Sequence, residues 1–144
     1  MENKNKFKRK VLRYLKYRVR TEGEVRNKFK KIIPPFYLEE FIKEFKQLGL
    51  IDDRLFCKVF TEEKLRKGYG RKAIYFELMK KGVDKNLIEE VVCNISKERE
   101  LKVAWDIVKK KIKDFQDKRK IYQLLLRRGF DRQIILSITE DENL

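Results

Sequence analysis

One four-residue pattern recurs in this sequence at a fixed distance. The segment Lys81-Gly82-Val83-Asp84 reappears 47 residues later as Arg128-Gly129-Phe130-Asp131. The apolar positions around it recur at the same distance, since Ile74, Leu78, Leu87 and Val91 return as Ile121, Leu125, Ile134 and Ile138. A unit of this length cannot bury its apolar face alone, so the pattern indicates repeats that stack into an elongated body.

The spacing of apolar residues predicts which secondary structure the repeats contain. Apolar side chains recur every three or four residues throughout, and only two prolines and six glycines interrupt them. This spacing is typical of amphipathic helices. A glycine followed within two residues by Asp fits the end of one helix and the N-cap of the next. We therefore predict an all-α fold of three tandem three-helix repeats, over residues 1–51, 52–95 and 96–144.

Individual helices can be given starts and buried faces. Thr21 and Glu24 fit a capping box, and Asp52 and Asp53 fit the N-terminus of a fourth helix. We expect the second, third and fourth helices to bury, respectively, Val25, Phe29 and Ile32; Phe41, Phe45 and Leu48; and Phe56, Val59 and Phe60. We also expect a buried position for Trp105, Cys57 and Cys93, and an N-cap at Asp84 and Asp131.

Charge is the strongest indication of function in the composition. Lys and Arg number 38 against 23 acidic residues, a formal net charge of +15, and residues 1–51 carry more than half of the excess. Such a surface attracts polyanions or acidic proteins, although a solvated Lys-rich surface without a partner is the simpler alternative. The candidate partner-binding surfaces are the face Lys8, Arg9, Arg13, Lys16, Arg20, Arg26, Lys30 and Lys31; the central corner Arg66, Lys67, Arg71 and Lys72; and the third corner Arg127, Arg128 and Arg132.

Three tyrosines lie among these basic residues and off the apolar stripes. For Tyr17, Tyr69 and Tyr75 we leave open surface contact with a partner and partial burial. Basic side chains interleaved with aromatic rings suit nucleic acid or an acidic protein.

Several other function classes receive no support from the sequence. There is no histidine, and two cysteines do not make a metal site, so we expect no metal and no cofactor. Gly68-Tyr69-Gly70 follows a helix and lacks the remaining residues of a phosphate loop, so we interpret it as a turn. Nothing groups a nucleophile with a base, and an enzyme is not expected. The polar first ten residues and the lack of a long apolar run predict a cytoplasmic protein without a membrane span.

The middle of the chain resembles a known family. The segments that carry the resemblance are Gly49-Leu50-Ile51-Asp52-Asp53 with Phe56, Lys64-Leu65-Arg66-Lys67-Gly68-Tyr69-Gly70-Arg71-Lys72-Ala73-Ile74, and Lys80-Lys81-Gly82-Val83. They are similar to the RecX family of recombination regulators, and the three-unit layout extends the resemblance over nearly the whole chain. Two positions depart from the family pattern, which usually has Arg at the position of Leu55 and Pro at that of Arg71.

The resemblance implies both a partner and an activity. It implies a monomeric, curved helical protein that lies in the groove of the RecA filament, limits filament growth and lowers ATPase and strand-exchange activity. The residues themselves leave a second possibility open, because three-helix units with a basic face also occur in stand-alone proteins that bind single- or double-stranded DNA.

Overall fold

The computed structural model describes residues 2–140. Over that range the chain folds into nine α-helices and contains no strand, so the predicted all-α class is confirmed. The helices are α1 (Glu2–Tyr17), α2 (Glu22–Phe29), α3 (Pro35–Gln47), α4 (Asp53–Arg66), α5 (Arg71–Lys80), α6 (Lys85–Cys93), α7 (Lys97–Lys111), α8 (Lys118–Arg127) and α9 (Arg132–Thr139). We refer to α1–α3, α4–α6 and α7–α9 as the first, second and third repeats.

Each repeat surrounds its own group of buried apolar side chains. The three groups include Phe41 and Phe45 in the first repeat, Ile74 and Leu78 in the second, and Phe130 in the third. They lie within residues 11–51, 56–95 and 104–138. The repeat boundaries after residues 51 and 95 stay a prediction.

The predicted buried faces are wrong at several positions where a helix ends or turns differently. Ile32, Leu48 and Val59 are 52%, 64% and 52% exposed. Ile33 and Ile51 are buried in their neighbourhood instead, because α2 and α3 end before the predicted stripes do. In α4 the edge that carries Cys57 faces inward, so the predicted burial of Cys57 is confirmed. Three further residues differ from expectation: Cys93 is exposed, and Phe60 and Trp105 are half-buried against the cores.

The helix starts follow the predicted caps with two exceptions. The Thr21 hydroxyl accepts a hydrogen bond from the Glu24 N–H while the Glu24 carboxylate accepts one from the Thr21 N–H, as a capping box requires. Asp52 caps α4 and Asp84 caps α6 through their carboxylates. Asp131 stands at the N-cap of α9 but its side chain accepts no capping hydrogen bond. The second exception is Asp53, whose carboxylate bonds outside its own helix.

Glycines let consecutive repeats approach closely. The start of α2 lies against the end of α5, where an added Cβ on Gly23 would be 2.6 Å from the Cα of Gly82. The start of α5 meets the end of α8 in the same way, since a Cβ on Gly70 would lie 2.5 Å from the carbonyl oxygen of Gly129. Gly82 and Gly129 also have φ values of 77° and 79°, the left-handed conformation predicted for these helix ends.

A carboxylate from the following repeat completes each junction. Asp53 of α4 accepts a hydrogen bond from the N–H of Glu22, the first residue of α2, at 2.9 Å. Glu100 of α7 accepts one from the N–H of Arg71, the first residue of α5, also at 2.9 Å. Each acid thereby satisfies one free amide at a helix start in the preceding repeat. Burial raises the pKa of both carboxyl groups above their usual values.

Candidate partner-binding site

Both repeat junctions open into a crevice beside the first helix of the following repeat. The crevice between the first and second repeats encloses about 400 Å³, and the crevice between the second and third encloses about 380 Å³. Their linings correspond at a distance of 47 residues: Leu55, Phe56, Val59, Phe60 and Glu63 in the first stand where Lys102, Val103, Asp106, Ile107 and Lys110 stand in the second. The two crevices are thus the same place in the repeat with different side chains.

The second of these, which we call the basic crevice, collects charge from α4 and α7. Its cations are Arg66, Lys67, Arg99, Lys102 and Lys110, and an adjoining depression that shares Arg66, Lys67 and Lys110 adds Lys111 and Arg128. Arg99 is engaged by Glu62, which it holds by a hydrogen bond of 2.8 Å that also lowers the pKa of Glu62. Within the described part of the chain, Arg66, Lys67, Lys102, Lys110 and Lys111 form no ion pair.

The structure joins two of the predicted basic corners. The guanidinium of Arg128 donates a hydrogen bond of 3.0 Å to the carbonyl of Lys67, although 61 residues separate them. Arg128 also lies 4.6 Å from the ring centre of Tyr69, and the Lys64 ammonium lies 4.5 Å from it. Tyr69 is half-buried beneath these cations. Its contact with the guanidinium holds the side chain of Arg128 at the edge of the basic crevice.

Arg71 does not project outward as the sequence suggested. Its guanidinium approaches Glu100 at 3.7 Å and Asp131 at 3.9 Å, and it donates a hydrogen bond to the carbonyl of Ile95. Its side chain is 25% exposed while that of Glu100 is fully buried. Reversal of the Arg71 charge would therefore place three carboxylates together and disturb the junction. Lys72 is exposed on α5, outside the lining of the basic crevice.

The predicted face of the first repeat divides into engaged and free cations. Lys8 pairs with Glu44 at 2.9 Å, and Arg26 forms a bidentate pair with Glu39 at 2.8 and 3.0 Å. Arg20 packs its guanidinium 3.9 Å from the ring centre of Tyr14. The exposed cations for which the described residues supply no ion pair are Arg9, Arg13, Lys16, Lys30 and Lys31. Tyr17 is 85% exposed beside this face, whereas Tyr75 is half-buried.

The other predicted residues lie at the corner of the third repeat. Arg127 and Arg132 are exposed, on α8 and α9 respectively. Lys80 and Lys81 occupy the equivalent corner 47 residues earlier and line a depression with Arg26 and Lys30. That corner was missed from the sequence, as were Lys102, Lys110 and Lys111. The run of lysines at the end of α7 and the 47-residue relation were the signals that could have found them.

The other crevice has the opposite chemistry, and we call it the apolar crevice. It is lined by Val19, Leu55, Phe56, Val59 and Phe60, with the charged side chains of Arg18, Glu63 and Lys81 also in the lining. Two further observations concern possible sites elsewhere. In residues 2–140 no group of acidic and cysteine side chains is placed to hold a metal ion, and no helix is both long and apolar enough to cross a membrane.

Comparison with known proteins identifies the family. Residues 52–92 match the family model described as RecX, second three-helix domain. The chain is 32% identical to the regulatory protein RecX of Clostridium beijerinckii over 142 residues, 92% of this chain and 66% of that protein, so it spans just under two thirds of that relative's length. It is 34% identical to the regulatory protein RecX of Yersinia enterocolitica over 114 residues, 76% of this chain and 68% of that protein.

A solved structure supports the same assignment. The crystal structure of RecX from Lactobacillus salivarius superimposes with a TM-score of 0.84 at 26% identity, and the match covers 96% of each chain. A fold shared over the full length is expected of relatives at this level of sequence identity. On the fold, the family model and these relatives, the chain belongs to the RecX family of regulatory proteins.

Proposed function

We propose that this chain binds the RecA filament formed on DNA and lowers its ATP hydrolysis, its growth and its strand exchange. The observation that carries the proposal is the basic crevice with its adjoining depression, where the five cations other than Arg99 and Arg128 form no ion pair inside the described chain. The role is regulatory binding. RecA is the partner that the resemblance to the RecX family implies, and a filament loaded with DNA presents phosphates and carboxylates to the same surface.

The geometry of the basic crevice favours a multivalent anionic partner. Arg66 is the last residue of α4 and Lys67 is its C-cap, while Lys102 and Lys110 lie about two turns apart on α7. Both helices are held in place by the α4–α7 contact, so an anion that binds between them orders side chains but not the backbone. Each cation that contacts a phosphate also releases condensed counterions, which makes such binding strongly dependent on salt.

The test is a titration of RecA ATP hydrolysis on single-stranded DNA. We expect inhibition at amounts of this protein far below those that coat the DNA, whether it is added before or after the filament forms. The double variant Arg66→Glu with Lys67→Glu should reduce inhibition at least tenfold. A matched control with the same charge change is Lys118→Glu with Arg119→Glu, at the exposed start of α8, which should inhibit like the parent protein.

A second candidate function is stand-alone DNA binding. The observation that favours it is the exposed face of α1, where Arg9, Arg13 and Lys16 lie free of ion pairs in the described residues. In that case inhibition of RecA would require enough protein to cover the DNA, and it would disappear when excess single-stranded DNA is added. Charge reversal on α1 would then weaken inhibition as much as charge reversal in the basic crevice.

A further inference from the structure

Several apolar side chains in the apolar crevice are exposed to solvent. Val19, Leu55 and Val59 are 63%, 56% and 52% exposed, and all three line one cavity. Single apolar residues are common on protein surfaces, but three around a concave site with an aromatic floor resemble the centre of a protein interface. Phe56 and Phe60 form that floor, with their rings stacked 5.7 Å apart.

One cation at the edge of the apolar crevice lacks a carboxylate partner. The Lys81 ammonium lies 5.5 Å from the ring centre of Phe60 and 5.9 Å from that of Phe56, and it forms no ion pair with the residues described. The other cation in the lining, Arg18, is paired with Glu24 at 2.8 Å. An incoming carboxylate would therefore find Lys81 available, and the apolar side chains of the partner would shield that charge pair from water and so strengthen it.

Contrast with the basic crevice narrows the kind of partner. At equivalent positions the basic crevice presents Lys102 and Lys110 where the apolar crevice presents Leu55 and Glu63. A phosphate backbone gains little from aliphatic side chains. A protein segment with one large apolar side chain gains from burying that side chain against Leu55 and Val59.

We propose that the apolar crevice is a docking site for a protein segment that places one large apolar side chain on Phe56 and Phe60 and an adjacent carboxylate on Lys81. A RecA protomer of the filament supplies this segment; this assignment to RecA rests on the function proposed above. The two crevices then divide the work: the apolar crevice holds protein, and the basic crevice holds the anionic backbone of the bound DNA.

The test measures two affinities for each variant. The first is for RecA filaments assembled on single-stranded DNA with a slowly hydrolysed ATP analogue, and the second is for the same DNA without RecA. Leu55→Glu and Val59→Glu should each weaken filament binding about tenfold, because a carboxylate replaces an apolar contact of this size. Affinity for bare DNA should change less than twofold. Phe36→Glu, at a residue that is 78% exposed and outside the crevice, is the control with the same charge change.

Lys81 supplies a second test at the rim. Lys81→Glu should weaken filament binding at least as much as Leu55→Glu, whereas Lys81→Arg should keep most of it because the positive charge remains. A milder change, Leu55→Ala, should weaken filament binding about threefold. It tests the apolar crevice even if a charged variant melts below the parent protein. Circular dichroism melting of each variant establishes that the repeat is intact.

The outcomes separate this inference from the proposed function. If the parent protein neither binds nor inhibits the filament, the proposed function is overturned, and the assignment of a RecA segment falls with it. If the parent protein acts on the filament and Leu55→Glu, Val59→Glu and Lys81→Glu act equally well, only the apolar docking site is overturned. Equal losses for filament and bare DNA would show that the apolar crevice serves nucleic acid, which also overturns it.

Discussion

The two repeat junctions have the same backbone frame and different side chains around it. In both, a helix start lies against a left-handed glycine of the next repeat, at Gly82 or Gly129, and a carboxylate caps that start, from Asp53 or Glu100. Beside this frame the first junction opens an apolar crevice and the second a basic one. Close contact constrains the frame, while the exposed crevice positions are free to differ, so the repeats can share a fold and contact different partners.

The junctions also differ in how tightly they are closed. At the first, the Thr21 hydroxyl donates a hydrogen bond to the carbonyl of Lys81. At the second, the main chain itself is joined, since the N–H groups of Gly70 and Lys72 donate to the carbonyls of Arg128 and Gly129 at 2.8 and 2.9 Å. Glu100 is fully buried beside Arg71, whereas Asp53 is only partly buried. The second junction therefore holds its repeats together with more interactions than the first.

The largest expected effect comes from a side chain at a junction glycine. Gly82→Val and Gly129→Ala both place a Cβ in a left-handed residue, and that Cβ would lie 2.8 Å from the Cα of Gly23 or 2.4 Å from the N of Ala73. The conformational penalty and the overlap together should lower the free energy of unfolding by roughly 3–5 kcal/mol. Urea denaturation followed by circular dichroism measures this loss.

Gly49 is the matched control for both substitutions. It has a φ of 77° like Gly82, but a Cβ there would meet no atom within 4 Å. Gly49→Ala should therefore cost only about 1 kcal/mol, the conformational part alone. If Gly49→Ala and Gly129→Ala destabilise equally, close packing of the repeats is not what requires the junction glycines.

Removal of the capping carboxylates should rank the junctions. Glu100→Ala leaves the Arg71 N–H without its acceptor and leaves the partly buried guanidinium short of a partner, so we expect a loss of about 2–3 kcal/mol. Asp53→Ala removes one capping bond from a partly exposed site and should cost about 1 kcal/mol. Melting of both variants under one set of conditions gives the comparison, and an equal loss at the two junctions would contradict the ranking.

Local signals explain why much of the fold was predictable from the sequence. The capping box at Thr21, the cap at Asp52 and the left-handed Gly82 each depend on residues within one turn of the chain. The errors at Ile32 and Leu48 arise because both residues lie beyond the end of a helix. Helical spacing of apolar residues does not predict which side chains face inward after the helix has ended.

Long-range contacts explain what could not be predicted. Arg71 lies in a basic stretch and looked like a surface cation, but its partners Glu100 and Asp131 are on other helices. Asp53 looked like a local cap for the same reason. Lys67 and Lys110 both line the basic crevice, and only the packing of α4 on α7 makes them neighbours. The sequence shows which stretches are basic. Whether each cation is free to bind a partner depends on carboxylates from other helices, which only the folded structure brings near.

The contrast between the crevices can be sharpened by the salt dependence of DNA binding. Lys102→Ala and Lys110→Ala should each lower the slope of log affinity against log salt by about 0.7–0.9, the value of one lost phosphate contact. Val59→Ala in the apolar crevice should leave that slope unchanged. Titration of labelled single-stranded DNA at three or more salt concentrations measures the slopes. The division of work would be contradicted if all three variants had the slope of the parent protein.

The smallest expected effect is a pH dependence that belongs to the second junction. Burial raises the pKa of Glu100 above its usual value of 4.5, against the hydrogen bond from the Arg71 N–H, which lowers it. As pH rises from 4.5 to the raised pKa, the unfolded chain has lost this proton while the folded protein still holds it, so the free energy of unfolding falls with pH over that interval.

Glu100→Gln cannot ionise, and its amide oxygen can still accept a hydrogen bond from the Arg71 N–H. The stability of this variant relative to the parent protein should therefore rise with pH over the same interval and then level off, by an amount smaller than the loss in Glu100→Ala. Urea denaturation of both proteins at several pH values below and above 4.5 measures the difference. Asp53→Asn at the first junction, where burial raises the pKa in the same direction, tests whether both carboxylates behave alike. If Arg71 outweighs burial, the pKa of Glu100 lies below 4.5, and the stability of Glu100→Gln relative to the parent protein falls as pH rises towards 4.5 and is constant above it. That outcome would contradict the expected rise above 4.5 and would make the second junction an ion pair that stabilises the fold at neutral pH.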